Sequence, residues 1–226
     1  MGDLRLLTYN LHGLRDDVDA IGEVVRACKP DVVCVQEAPR FLRWRSKRAA
    51  IARNCGLVVA TADRPGGLML MVSLRVRVLD TRFTTLSKRP QLHQRAVCSA
   101  DLLVDDTRWT VASVHMSLDD DERQAHLPEV WTALGTSTPV VLAGDINEEP
   151  GGPVWHALTA QLTDAWAASG TGAGNTFSAK QPHKRIDGIF VSHDVDVVEC
   201  HSVDDVAGVQ AASDHLPVLA VLRASS

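Results

Sequence analysis

Apolar residues along this chain follow two rhythms. The opening LRLLTY is continuous enough for a buried strand, and in DDVDAIGEVVRACK the residues Ile21, Val24, Val25 and Cys28 recur at helical spacing. PDVVCVQE then reads as a second buried strand, so strand, helix and strand imply neighbouring strands covered by helices. A second helix is expected over residues 40–54. From 57 to 115 the segments LVVAT, GLMLMVSLRVRVLD, RAVCSADLLV and RWTVASVH are short, β-branched and separated by turn residues, which predicts consecutive antiparallel strands. The second half repeats the grammar of the first: a helix over 119–134, a strand PVVLAG, a loop DINEEPGGP and a short helix from Val154. Three strands follow, in RIDGIFVS, VDVVECHSV and LPVLAVLR. The Gly-rich SGTGAGNT, 169–176, is predicted as a surface loop, since no P-loop Lys-Ser/Thr pair follows it. With no linker-like stretch, residues 1–226 are expected to form one domain of two similar α/β halves, their sheets face to face and their helices outside.

Composition narrows this picture. With 45% apolar residues in 226, the chain can bury a substantial core. No stretch approaches the roughly 18 uninterrupted apolar residues of a membrane helix, and MGDLRLLTYN lacks the basic lead and apolar run of a secretory leader, so a cytoplasmic protein without membrane contact is expected. The five cysteines are scattered and lack any C-x-x-C, which suggests reduced core residues and argues against a zinc site. The five tryptophans are expected in the core or packed against helices. A net charge of −5 hides an uneven distribution: RFLRWRSKRAAIAR, 40–53, carries six basic side chains and no acidic one.

The polar residues that need explaining fall at strand ends. Asn10 closes LLTYN, Glu37 closes VVCVQE, His115 closes TVASVH, and Asp145 with Asn147 closes VVLAGDIN. Asp214 and His215 sit just before the last strand, and as neighbours on extended chain they point to opposite faces, so each must have its own partner. Strand C-terminal edges are where α/β sheets assemble sites. Glu37, Asp145 and Asp214 with the amide oxygens of Asn10 and Asn147 are hard donors, suited to Mg²⁺ or Mn²⁺ and poorly to zinc. A hard divalent ion beside histidines and arginine points to phosphoryl chemistry with water as nucleophile.

TYNLHG, QE, SVHMSL, GDIN and SDHLPV, in that order, resemble the motifs of the endonuclease/exonuclease/phosphatase superfamily, and they run from residue 8 to 218. The resemblance implies an α/β fold: a four-layered α/β/β/α sandwich, two packed mixed sheets with outer helices. It implies that Asn10 and Glu37 hold the essential metal, with Asp214 near it, and that Asp145 orients or deprotonates the attacking water. It also implies phosphate-binding roles for Arg95, His115 and Asn147. His215 would stabilise the transition state or carry a proton, and Asp187 of RIDGIF would hydrogen-bond His215 and fix its tautomer. Of the other histidines, His12 is the best placed, two residues after Asn10.

The substrate expected is a phosphate ester, DNA or RNA before a small molecule or lipid headgroup, cleaved as a phosphodiester by a monomeric enzyme. A noncatalytic phosphate-binding module is the remote third reading. Favouring nucleic acid, the run Arg40, Arg43, Arg45, Lys47 and Arg48 begins three residues after Glu37, and Lys180, Lys184 and Arg185 form a second basic cluster. Two departures from the family pattern stand against close assignment. Tyr9 is the only tyrosine, so the mid-chain tyrosine of several family nucleases has no counterpart, and Gly188 stands where many members carry an aromatic residue.

Overall fold

The computed structural model describes residues 2–61, 64–135 and 139–225. The first half runs through β1 (Leu4–Asn10), α1 (Val18–Cys28), β2 (Val32–Gln36), α2 (Trp44–Asn54), β3 (Val58–Val59), β4 (Met69–Val72), β5 (Val76–Thr85), β6 (Ala96–Val104) and β7 (Thr107–His115). The second half continues with α3 (Asp120–Ala125), α4 (Leu127–Leu134), β8 (Val140–Asp145), α5 (Pro153–Thr159), β9 (Thr163–Asp164), α6 (Ala165–Ser169), β10 (Gly170–Thr171), β11 (Asp187–Val191), β12 (Val195–Ser202), α7 (Val209–Ala212) and β13 (Val218–Ala224). One sheet has seven strands in the order β10-β12-β13-β1-β2-β4-β3, the other six in the order β5-β6-β7-β8-β11-β9.

Strand alternation builds four layers from this order. Leu4 and Leu6 of β1, with Val32 and Cys34 of β2, meet Ala100, Leu102, Val111, Val141 and Ile189 of the other sheet in a core between the two. The intervening residues Leu7, Tyr9, Val33 and Val35 point the other way, onto Ile21, Val24 and Val25 of α1, Ile51 of α2 and Val209 of α7. On the far side, Val97, Ala112, Val114 and Leu142 pack against Val130 and Leu134 of α4 and Val154 and Leu158 of α5. The α/β/β/α sandwich follows from period-two burial on both faces of each sheet.

Four sequence expectations need correction. The segment GLMLMVSLRVRVLD is two strands in different sheets: β4 pairs with β2, β5 pairs with β6, and a turn at Ser73 with the exposed Leu74 makes the crossing. The helix expected over 119–134 divides into α3 and α4, because Pro128 opens α4 and has no N–H to continue α3. The helix expected from 40 begins at Trp44, leaving 40–43 as loop. Within SGTGAGNT, Gly170 and Thr171 form the short edge strand β10. Among the described residues no helix is long and apolar enough to cross a membrane. All five cysteines are buried free thiols, and Trp109 and Trp155 are buried in the core.

Gly144 shows how tightly the central strands approach. A Cβ built there would lie 1.9 Å from the Val114 carbonyl oxygen on β7, inside any permissible contact. Gly144→Ala must therefore separate β7 from β8 just where His115 and Asp145 pair. It is expected to lower the unfolding free energy by about 3 kcal/mol or more, measured by urea denaturation; an unchanged midpoint would refute this account.

Candidate active site

Strand register assembles one row of the site. On β7 His115 pairs with Asp145 of β8, and Asp187 of β11 pairs with the same Asp145 from the other side. In-register neighbours point to one face, and this face is the one that carries Val111, Val141 and Ile189 into the core between the sheets. In the opposite sheet Asn10 pairs with Gln36, and Glu37 follows directly. Beneath this polar row lies a second one. Gln36 Nε2 donates to the Thr8 hydroxyl at 3.2 Å, the Cys34 carbonyl at 3.2 Å and the Ser113 hydroxyl at 3.0 Å, so it ties β1, β2 and β7 together. Gln36 has no role in the sequence reading; its signal was a buried amide interrupting an otherwise apolar strand.

Asp145 is the hub. Its Oδ2 accepts from Asn10 Nδ2 at 3.1 Å and lies 3.4 Å from His115 Nε2 and 3.9 Å from His215 Nε2, while its Oδ1 accepts the Asn147 amide at 2.9 Å. Asn10 Nδ2 also reaches Glu37 Oε1 at 3.4 Å, and Asn10 Oδ1 accepts the His12 amide at 3.0 Å. His215 Nδ1 is 2.8 Å from Asp187 Oδ2, the pairing expected from the sequence. Phe177 tilts against the His215 ring at a centroid distance of 5.0 Å. Asn147 Nδ2 donates to the Met116 carbonyl at 2.9 Å, which fixes the amide beside β7.

Burial and charge set the protonation states. Burial and then the neighbouring Asp187 charge raise the pKa of Asp145, against the pull of His215 and the Asn10 hydrogen bond. Burial pulls the His215 pKa down, but the Asp187 charge and hydrogen bond, aided by Asp145 and Asp214, outweigh it and push it up to about 10. His215 is therefore an imidazolium at neutral pH. His115 is held neutral, well below the usual histidine range, by burial and by the positive charges of Arg95 and His215. Burial also lowers the pKa of Arg95.

The donor set suits a hard cation. One amide, Asn10, touches both the Glu37 and Asp145 carboxylates, so two anionic groups converge on one buried side chain, and Asp187 Oδ1 is buried beside them without a hydrogen-bond partner. Such a surplus of buried anionic oxygen is what a divalent ion relieves.

Not every expected residue joins this row. Asp214 sits at a bend, and its carboxylate lies 3.7 Å from His12 Nε2, whose other ring nitrogen is 2.7 Å from Asp16. Arg48 leaves the group expected to track phosphate: it is buried, donating to the carbonyls of Pro39 and Leu68 at 2.9 and 2.8 Å. Arg185 likewise turns inward, sandwiched between the Trp155 and Trp166 rings and paired with Asp164 at 2.9 Å. At Gly188 the space for an aromatic side chain is already filled, since a Cβ there would meet the Phe190 and Trp155 rings at 2.8 and 3.0 Å.

A cleft of about 660 Å³ opens over the row, with Glu37, Arg95, His115, Asp145, Asn147 and His215 in its wall. Lys184 of the second basic cluster lines it too, as do residues that the sequence reading left without a role, among them Arg15, Phe41, His93, Leu118 and Phe177.

Known structures share this architecture. An endonuclease/exonuclease/phosphatase from Bacteroides vulgatus superposes with a TM-score of 0.82 at 20% identity, covering 100% of both chains. Mannosyl-6-phosphatase Bt3783 of Bacteroides thetaiotaomicron VPI-5482 gives 0.79 at 19% identity, with 97% of this chain and 99% of that one covered. D. rerio TDP2 complexed with single strand DNA product gives 0.79 at 17% identity, over 99% of this chain and 100% of that one. No curated protein matches the sequence. At such identities the likenesses establish the fold, whereas the sequence profile of the Endonuclease/Exonuclease/phosphatase family matches residues 7–215. The chain belongs to that family.

Proposed function

We propose that this family phosphoesterase is a divalent-metal-dependent phosphodiesterase that acts on nucleic acid, and that Mg²⁺ or Mn²⁺ is its ion. The observation that carries the hydrolytic reading is the position of Asp145, one buried carboxylate between a neutral and a charged histidine. Asn10 and Glu37 would hold the ion, with Asp214 approaching from the side of His12. When bound, the ion supplies charge neutralisation at the phosphate and activation of water.

The residues of the chain divide the remaining work. Water attacks phosphorus while the bond to the leaving oxygen breaks; the water proton passes to Asp145, whose raised pKa makes it the stronger base, and the leaving oxygen takes a proton from solvent to depart as the alcohol. Charge gathering on the phosphoryl oxygens meets the His215 Nε2–H, with His115, Asn147 and Arg95 positioned around the same oxygens. Asp187 acts through His215, holding the ring so that Nε2 faces the phosphate. TDP2 complexed with single strand DNA product and the mannosyl-6-phosphatase both carry this fold, so the fold alone leaves the ester class open. Arg15, Arg40 and Lys184 in the cleft wall favour a polyanion over a single phosphomonoester.

Turnover of bis-p-nitrophenyl phosphate is expected to require Mg²⁺ or Mn²⁺, to stop in EDTA, and to fall at least about a hundredfold in Glu37→Ala. Calorimetry on that variant should show the metal-binding heat lost. Full activity in EDTA would sink the metal assignment.

A second expectation concerns pH. The active form has His215 protonated, a state lost as pH rises through about 10. Asp187→Asn removes the charge that raises this pKa, so the alkaline limb of kcat/KM should move down by about one to three pH units. An unmoved limb would remove Asp187 from the mechanism.

A further inference from the structure

Two exposed apolar side chains rim the cleft. Phe41, 68% exposed, projects from the loop that leaves β2 after Glu37, and Leu118, 75% exposed, from the loop that leaves β7 after His115. Single exposed apolar residues are ordinary on protein surfaces, and Leu74, 91% exposed on the turn between β4 and β5, is of that kind.

What distinguishes Phe41 and Leu118 is how their loops are held. Arg48, 1% exposed, donates to the Pro39 carbonyl, two residues before Phe41. Arg123, 4% exposed, donates to the Ser117 carbonyl at 2.7 Å, immediately before Leu118, and to Glu148 at 3.3 Å. The Ala38 amide adds a bond to the Gly67 carbonyl at 2.7 Å. Each sheet thus sends out one loop, anchored at its root by a buried arginine, with an apolar tip kept off the core. Holding an apolar side chain in water forgoes its burial unless a ligand covers it, and an anchored root means little ordering is left for binding.

We infer that Phe41 and Leu118 form an apolar jaw for a nucleobase next to the scissile phosphate, so that the substrate is single-stranded nucleic acid or a strand end. The inference rests on the phosphoesterase reading of the site. A sugar phosphate presents hydroxyls that seek polar partners, which neither jaw residue offers. A base presents apolar faces that stack on such side chains, and those faces are free only outside a duplex. Arg40, its guanidinium 5.3 Å from the Phe41 ring centroid, brings positive charge beside the jaw for an adjoining phosphate. At about 660 Å³ the cleft has the dimensions of a small-molecule site, enough to take a base and its phosphate.

The test compares a short single-stranded oligonucleotide with the same oligonucleotide built from abasic tetrahydrofuran units, which keeps every phosphate and removes every base. In the presence of Mg²⁺ or Mn²⁺ the protein should favour the base-containing strand at least about tenfold in kcat/KM. In Phe41→Ala and Leu118→Ala that ratio should fall towards one, while Leu74→Ala keeps it. The ratio is internal to each variant, so a partly unfolded preparation does not distort it. Equal cleavage of both strands, or preference for the abasic one, overturns the jaw. Metal-dependent turnover of methyl p-nitrophenyl phosphate with neither oligonucleotide cleaved also overturns it and leaves the phosphoesterase reading standing. No turnover of any of the three, all of them diesters, would overturn the phosphodiesterase proposal as well.

Discussion

The placement of Asp145 in the middle of three registered strands is the constraint on which the rest of the site depends. Its neighbours on β7 and β11 are fixed by backbone hydrogen bonding as His115 and Asp187, so their side chains share its face without any loop having to find them. Two carboxylates in register in a buried place repel, and the protein answers with protons and donors. Asn10 donates to Asp145 across the gap between the sheets, and His215 arrives charged to lie against Asp187. The high pKa of His215 and the raised pKa of Asp145 are two results of one arrangement, since negative charge confined in a buried place favours a proton on whatever neighbours it.

The sheets do not change from apolar to polar at once. Below the site the inward-facing positions of β1, β2 and β7 are leucine, valine and cysteine; above them come Thr8, Gln36 and Ser113; and Asn10, Glu37 and His115 lie at the ends of the three strands. The middle step is a fully buried polar layer whose members satisfy each other, and it holds the two sheets in a fixed relation just beneath the chemistry. Backbone strain is present at the strand ends as well. Glu37 and Asn147 take left-handed conformations with φ of 53° and 55°, at a cost of about 1–2 kcal/mol each. The register above and the amide layer below supply the rigidity that tolerates this.

Much of this was legible in the chain. Polar residues ending apolar strands identified Asn10, Glu37, His115 and Asp145, and the adjacency of Asp214 and His215 required separate partners, which the structure provides as His12 and Asp187. Strand periodicity on both faces carried the four layers. What the sequence hid was anything decided by packing across the sheets. Ser73 reads as an interior strand residue, yet the chain changes sheets there, because nothing local distinguishes a turn between two apolar runs from one long run. The inward turn of Arg185 depends on Trp155, Trp166 and Asp164, which come together only in three dimensions.

The basic segment after Glu37 illustrates why charge in a sequence underdetermines its use. Its arginines look equivalent as a run, but burial divides them. Arg48 spends its donors on backbone carbonyls and so shapes the loop, whereas Arg40 keeps its guanidinium in the wall of the cleft. Arg123 on the opposite sheet repeats the first role. A guanidinium suits this role because its planar fork holds several donors in fixed directions, so that Arg48 meets two carbonyls from different segments at once. The consequence for recognition is that the cleft carries less free positive charge than the composition of the segment suggests, and more apolar surface. A ligand that matched only the charge would leave Phe41 and Leu118 uncovered, so the complementary molecule is one that places an anionic group over Asp145 and His215 and a flat apolar group between the two loops.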